Sequence, residues 1–197
     1  MTNINQYRTL VLNADYSPIS ILNLAHIPVA DALTRVFNGT CHVVETYNRQ
    51  IKTAKKENAV FLPSVIARNQ YEDLPRHITD NPVAEYLYYR DHATCAYTGE
   101  TLTLQKGKPN TLTIDHVIPK SKGGNNTWDN VVACLPNANL AKSDSMPIGL
   151  WKPKRKPFKP NYWQLADARK KFPITVYNEN WIPYLGNWEG SIHIKEL

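Results

Sequence analysis

Asp115 and His116 stand side by side, Asn130 follows fourteen residues after the histidine, Asn139 nine after that, and Lys142 three further on. These residue types suit one chemistry. A carboxylate and an amide oxygen are ligands for a hard divalent cation such as Mg²⁺ or Mn²⁺, which keeps several waters. An imidazole, with an ordinary pKa of about 6.5, can take a proton from water near neutral pH. Lysines can meet phosphate. Together they are parts for hydrolysing a phosphodiester, in which a cation neutralises the charge building on phosphate and leaving oxygen. A lone Asp-His pair reads more simply as a strand-end cap or bridge, so the full set and its spacing carry the argument.

The elements needed to position these groups are legible around them. Leu112-Thr113-Ile114 is a strand signal that delivers Asp115 and His116 to opposite faces, so the two can address different parts of one site. Pro119 to Thr127 is a loop carrying glycines and the lysines Lys120 and Lys122. Asn130 to Cys134 reads as a second strand, and Pro136 is well placed at a helix start, where its missing N–H costs nothing. Asn139 and Lys142 then lie one turn apart on the same helix face. Asn137 lies close by and competes with Asn139 as a candidate ligand.

This stretch, Leu112 to Lys142, resembles the HNH endonuclease motif, the ββα-metal core, in its Asp-His, Asn, Asn form. Asn139-Leu140-Ala141-Lys142 matches the family's trailing Asn-x-x-Lys, and the loop Ile118 to Gly124 with Trp128-Asp129-Asn130 is similar to the bacterial and phage branch. The likeness runs upstream through VLNADYSPIS, PVADALTRVFNGTCHVVE, LPSVIARN and RDHATCAYTGE, covering residues 10–147 and leaving the last fifty unexplained. It implies a metal-dependent endonuclease that nicks or cuts DNA, with Asp115 and Asn139 as metal ligands and His116 as general base. It further implies that Asn130 hydrogen-bonds across the loop to orient His116. Lys142, Lys120 and Lys122 are then expected on phosphate, and Lys152, Lys154, Arg155, Lys156 and Lys159 along the duplex.

Many relatives brace this core with a zinc held by two Cys-x-x-Cys pairs, a site that needs four ligands in a tetrahedron. Here the first pair reads Cys95-Ala96-Tyr97-Thr98, and the second falls on Leu135 and Ala138, with Cys134 one place early. No structural zinc is therefore expected, and apolar packing around Leu135 and Ala138 should replace the brace.

The rest of the chain sets the context. Of 197 residues, 23 are Lys or Arg and 17 Asp or Glu, a formal charge of +6. Residues 1–94 are neutral on balance, so the whole excess lies in the second half, which fits a polyanion partner or a solvated, solubilising face equally. No apolar run approaches the roughly 20 residues of a membrane span. The opening MTNINQYRTL lacks a secretory pattern, and three widely spaced cysteines support no disulfide framework, so a cytoplasmic protein of a bacterial or phage-infected cell is expected.

The expected fold class is α+β in three parts: an N-terminal α/β unit over 1–85, the nuclease core over 86–147, and a basic, Pro-rich extension over 148–197. Strands are expected at 8–13, 42–45 and 60–62, and a helix after Pro28 that stops at Asn38-Gly39. Residues 68–83 read as a connector in which Pro75 and Pro82 discourage helix, whereas 85–90 fits a short strand or a short helix equally. Residues 151–160 should be extended, with a short helix over 162–171.

Two rival readings make different predictions. A catalytically silent nucleic-acid-binding member would bind DNA without cutting it. A docking role for the N-terminal unit, toward a protein partner or a second copy of the chain, predicts a stable complex formed by residues 1–90 alone.

Overall fold

A computed structural model describes residues 4–52, 59–74 and 76–196. Pro75 lies outside the described residues. Contacts divide the chain into two units, Met1–Pro75 with Lys170–Leu197, and Arg76–Arg169. The basic extension is thus shared out, through Arg169 to the second unit and from Lys170 onward to the first.

The first unit begins with β1 (Arg8–Leu12), β2 (His26–Pro28), α1 (Val29–Phe37), β3 (Cys41–Lys52) and β4 (Ala59–Arg68). The strands form one sheet in the order β2-β1-β4-β3, with β1 parallel to β4 and the other pairs antiparallel. Alternation sorts the side chains. Val11 and Ile66 meet Ala32 of α1 on one face, whereas Leu10, Leu12, Val65 and Ala67 point to the other. The helix ends as its sequence dictates: the Asn38 N–H bonds back to Thr34, and Gly39 takes a φ of 76°, a left-handed turn that suits glycine.

β4 runs straight through Pro63, which the sequence suggests as a breaker. Pro63 faces Thr46, where the β3 register shifts, so its missing N–H falls where the ladder is already irregular. The Pro63 carbonyl accepts the Thr9 hydroxyl at 2.6 Å.

The second unit holds α2 (Ala84–Arg90), β5 (Thr113–His116), β6 (Val131–Cys134) and α3 (Pro136–Lys142); α4 (Tyr162–Lys170) closes it. Residues 85–90 are therefore helical. β5 and β6 pair antiparallel, with Asp115 opposite Val132 and His116 opposite Val131. Pro136 occupies the first turn of α3. The α+β class holds: strand, loop, strand, helix follow in the expected order.

The chain then returns to the first unit with β7 (Ile174–Val176) and β8 (Ile192–Ile194), a parallel pair. Ile174, Val176, Trp181 and Leu185 cover the face of the first sheet that α1 leaves open. Trp181 is fully buried, and its indole N–H donates to the Ser64 carbonyl at 2.8 Å.

Candidate active site

β5 ends in the pair that matters. Asp115 is buried, and one of its oxygens, Oδ2, receives both the Tyr97 hydroxyl at 2.5 Å and the Lys142 ammonium at 3.0 Å. Lys142 is itself fully buried and also donates to the His116 carbonyl at 2.7 Å. The ammonium of Lys142, expected on phosphate, is here enclosed between Asp115 and the His116 carbonyl. At the C-terminal turn of α3, this lysine ties helix to strand. Burial, followed by the hydrogen bond to Asp115, pushes the Tyr97 hydroxyl far above the usual tyrosine range, so it remains a donor.

His116 is half-buried. Burial first, then the charge of Lys120, lowers its pKa, against the opposing hydrogen bond to the Asn126 side chain. Its Nε2 is buried and has no hydrogen-bond partner among the described residues. An unpaired buried nitrogen costs about 1–3 kcal/mol, which a water or ligand at that atom would relieve.

Asn130 spans the loop between β5 and β6. Its Oδ1 accepts the Ile118 N–H at 2.9 Å, and its Nδ2 donates to the carbonyls of Ile118 and Asn125 at 3.1 and 2.9 Å. The Val117 N–H completes the brace on the Asn130 carbonyl at 2.8 Å. Gly124 is required by space: a Cβ there would collide with the Ile118 carbonyl and come within 2.8 Å of Asn130 Nδ2.

Asn139 faces β5 from α3. Its Nδ2 leans on the Ile114 carbonyl at 3.3 Å and on Thr113 Oγ1 at 3.4 Å, which leaves Oδ1 as the ligand end of the amide. Asp115, His116, Asn130, Asn139 and Lys142 are thus carried on β5, the end of the loop that leads into β6, and α3. One carboxylate and one carboxamide fit a hard, largely hydrated cation, and Oδ2 of Asp115 is the oxygen the protein already engages. Among the described residues, no three His, Cys, Asp or Glu side chains converge as a fuller metal cage would need.

The other basic residues expected on phosphate or along the duplex are exposed. Lys120 and Lys122 form an exposed turn in the loop, where Lys122 donates to the Asp144 carbonyl at 2.6 Å. Lys152, Lys154, Arg155, Lys156 and Lys159 are exposed on an extended segment. Two of them already serve the fold: Lys154 donates to the Thr98 carbonyl and Lys159 to Asp80, each at 2.5 Å.

Around the expected zinc positions, Cys95 is buried and its sulfur accepts the Leu135 N–H at 3.4 Å. Burial raises the Cys95 thiol, but hydrogen bonds from Thr98, Leu135 and Tyr97 outweigh it, and the net shift is downward. Thr98, standing where a second cysteine would, has become a hydrogen-bond partner of the first. Cys134 points to Thr113 instead, and burial pushes its thiol up to about 12. Leu135 and Ala138 are both buried.

Residue-level reading of the sequence missed three contributors. Tyr97 was visible only as part of a broken Cys-x-x-Cys pair, and Asn126 only as a loop residue. Arg90 is buried and binds the carbonyls of Trp128 and Val131 at 2.7 and 2.8 Å, while pairing with Asp91 at 2.7 Å. Asp91 in turn accepts the Ala133 N–H at 2.9 Å, so this Arg-Asp pair locks α2 to β6. No local pattern announces it.

An antiparallel hairpin presenting Asp-His, a braced loop and a helix carrying Asn139 make up a ββα arrangement. Residues 95–148 match the family model described as HNH endonuclease, and residues 9–76 that described as HNH endonuclease-associated, N-terminal domain. The chain thus carries an HNH endonuclease domain and the N-terminal domain associated with it; HNH endonucleases are nucleases, act on nucleic acid and are generally metal-dependent. No curated protein matches the chain. No helix among the described residues is long and apolar enough to cross a membrane.

Proposed function

We propose that this chain is a metal-dependent endonuclease that hydrolyses DNA phosphodiester bonds by nicking or double-strand cleavage. The observation that carries the reading is the buried, unpartnered Nε2 of His116 beside Asp115, with Asn139 on the facing helix. His116 takes the proton of the attacking water at Nε2, and Asn126 hydrogen-bonds its ring. Asp115 and Asn139 hold one Mg²⁺ or Mn²⁺ ion, which supplies positive charge to the phosphate and leaving oxygen. Lys142 and Tyr97 fix the Asp115 carboxylate, and Asn130 keeps the His116 loop in one conformation. Lys120, Lys122 and the basic segment Lys152, Lys154, Arg155, Lys156 and Lys159 hold the DNA backbone.

The test is supercoiled plasmid incubated with the chain in Mg²⁺, in Mn²⁺ and in EDTA, beside His116→Ala and Asp115→Asn. Conversion to nicked or linear DNA should need a divalent cation and disappear in both variants. Intact plasmid in every lane, with salt-sensitive binding retained, would replace this reading with a DNA-docking protein.

A further inference from the structure

Three side chains in the second unit are conspicuous by exposure. Leu150, Leu140 and Ile148 are 85, 82 and 75 % exposed, the highest values for large apolar residues among those described. All three lie between 140 and 150, directly after Asn139.

The segment that carries them is anchored. Lys122 of the catalytic loop donates to the Asp144 carbonyl at 2.6 Å. The 148–151 turn closes with the Trp151 N–H on the Ile148 carbonyl at 3.2 Å. The Trp151 ring packs edge-on against Tyr97, centroids 5.8 Å apart, and the Tyr97 hydroxyl is the one bound to Asp115. The aliphatic tips are therefore held on the same framework as the Asp-His pair. Aliphatic surface fixed in water is unfavourable unless something covers it in function.

Charge says what covers it. From 143 to 160 the chain carries one acid, Asp144, against the exposed Lys152, Lys154, Arg155, Lys156 and Lys159. A partner that offers apolar faces within a dense array of negative charge is a nucleic acid, whose bases stack behind phosphates. We propose that Ile148 and Leu150, flanked by Leu140, form a wedge that enters the DNA base stack beside the scissile phosphate and kinks the duplex. The partner rests on the nuclease reading above; the wedge adds how the duplex is deformed.

Entry into the stack unwinds DNA, so it changes the linking number of a closed circle. Relaxed plasmid would be equilibrated with a metal-independent topoisomerase in EDTA, with the full-length chain, with His116→Ala, and with the double variant Ile148→Ser/Leu150→Ser. The first two should shift the linking number. The double variant should lose the shift while still retarding plasmid on a gel with an unchanged salt slope. Its thermal unfolding should match that of the unaltered chain, because both side chains are exposed. A shift that survives in the double variant, or no shift from the unaltered chain, overturns the wedge; in the former case the tips are left as a surface for a protein partner. Nicking in Mg²⁺ without a linking-number shift would sink the wedge alone. A shift without nicking would sink the nuclease reading alone.

Discussion

His116 can act as a base only while neutral, and its surroundings favour that form. Burial and the Lys120 charge lower its pKa, and a bound cation would push in the same direction. Cleavage should therefore hold as pH falls to 6.5 and decline only below it, as the lowered pKa is crossed. Lys120→Gln removes one of the lowering charges, so the acid limb of kcat/KM should move up toward 6.5. A limb above 6.5 in the unaltered chain would count against His116 as the base. Lys142 sits at the same scale. Lys142→Met strands Asp115 as an unpaired buried carboxylate and should cost about 3–5 kcal/mol in urea unfolding. Adding Asp115→Asn to that variant should recover part of the loss. Tyr97→Phe removes a single donor to Asp115 and should cost less, about 1.5–3 kcal/mol, because the acceptor is charged.

The elements around the site are each fixed by a few contacts. The loop from Val117 to Asn130 carries only a short 3-10 turn at Lys120–Lys122, and Asn130 with Gly124 gives it one conformation. Gly124→Ala forces the Ile118 carbonyl away and should lower kcat by at least about tenfold, as small misplacements of catalytic groups do. Plasmid retardation in EDTA should stay unchanged, because the exposed lysines are untouched; a loss of binding instead would mean that the loop positions DNA rather than His116. Much of this level was legible. Strand, loop, strand and helix follow from alternation, Pro136 and the spacing of Asn130 and Asn139. The helical α2 was not, because its seven residues are too few to show a period and its anchor is the Arg90–Asp91 pair reaching β6. β4 was cut short at Pro63, because a proline's tolerance in a sheet depends on the partner strand's register.

At the scale of the whole chain, the first unit is completed by its far end. Leu10, Leu12, Val65 and Ala67 present an apolar face that Ile174, Val176, Trp181 and Leu185 cover. Truncation after Arg169 should expose that face and leave residues 1–75 unable to unfold cooperatively, as followed by circular dichroism. Joining 170–197 back to 1–75 should restore a cooperative transition. Trp181→Ala should cost about 3–5 kcal/mol in the same measurement. Residues 1–90 alone omit Ile174, Val176, Trp181 and Leu185, the four that complete one of the unit's apolar clusters. A docking test should use the whole chain.

Alternation, Pro136 and spacing were enough to place Asp115 and His116 at a strand end, Asn130 just before the next strand and Asn139 on the helix that follows, because those positions are held by neighbours within one hairpin and one turn. They also placed α1, whose apolar stripe and Asn38-Gly39 stop are local. The enclosed ammonium of Lys142, the Tyr97 bond to Asp115, the Arg90 anchor and the Trp181 lid depend on partners 18 to 117 residues away. Such pairings need the chain to be folded before their partners can be identified. A lysine near a catalytic aspartate reads the same in sequence whether it reaches out to phosphate or inward to the carboxylate. Here burial decided, because an ammonium removed from water needs the carboxylate and carbonyl that only the assembled β5–α3 contact provides.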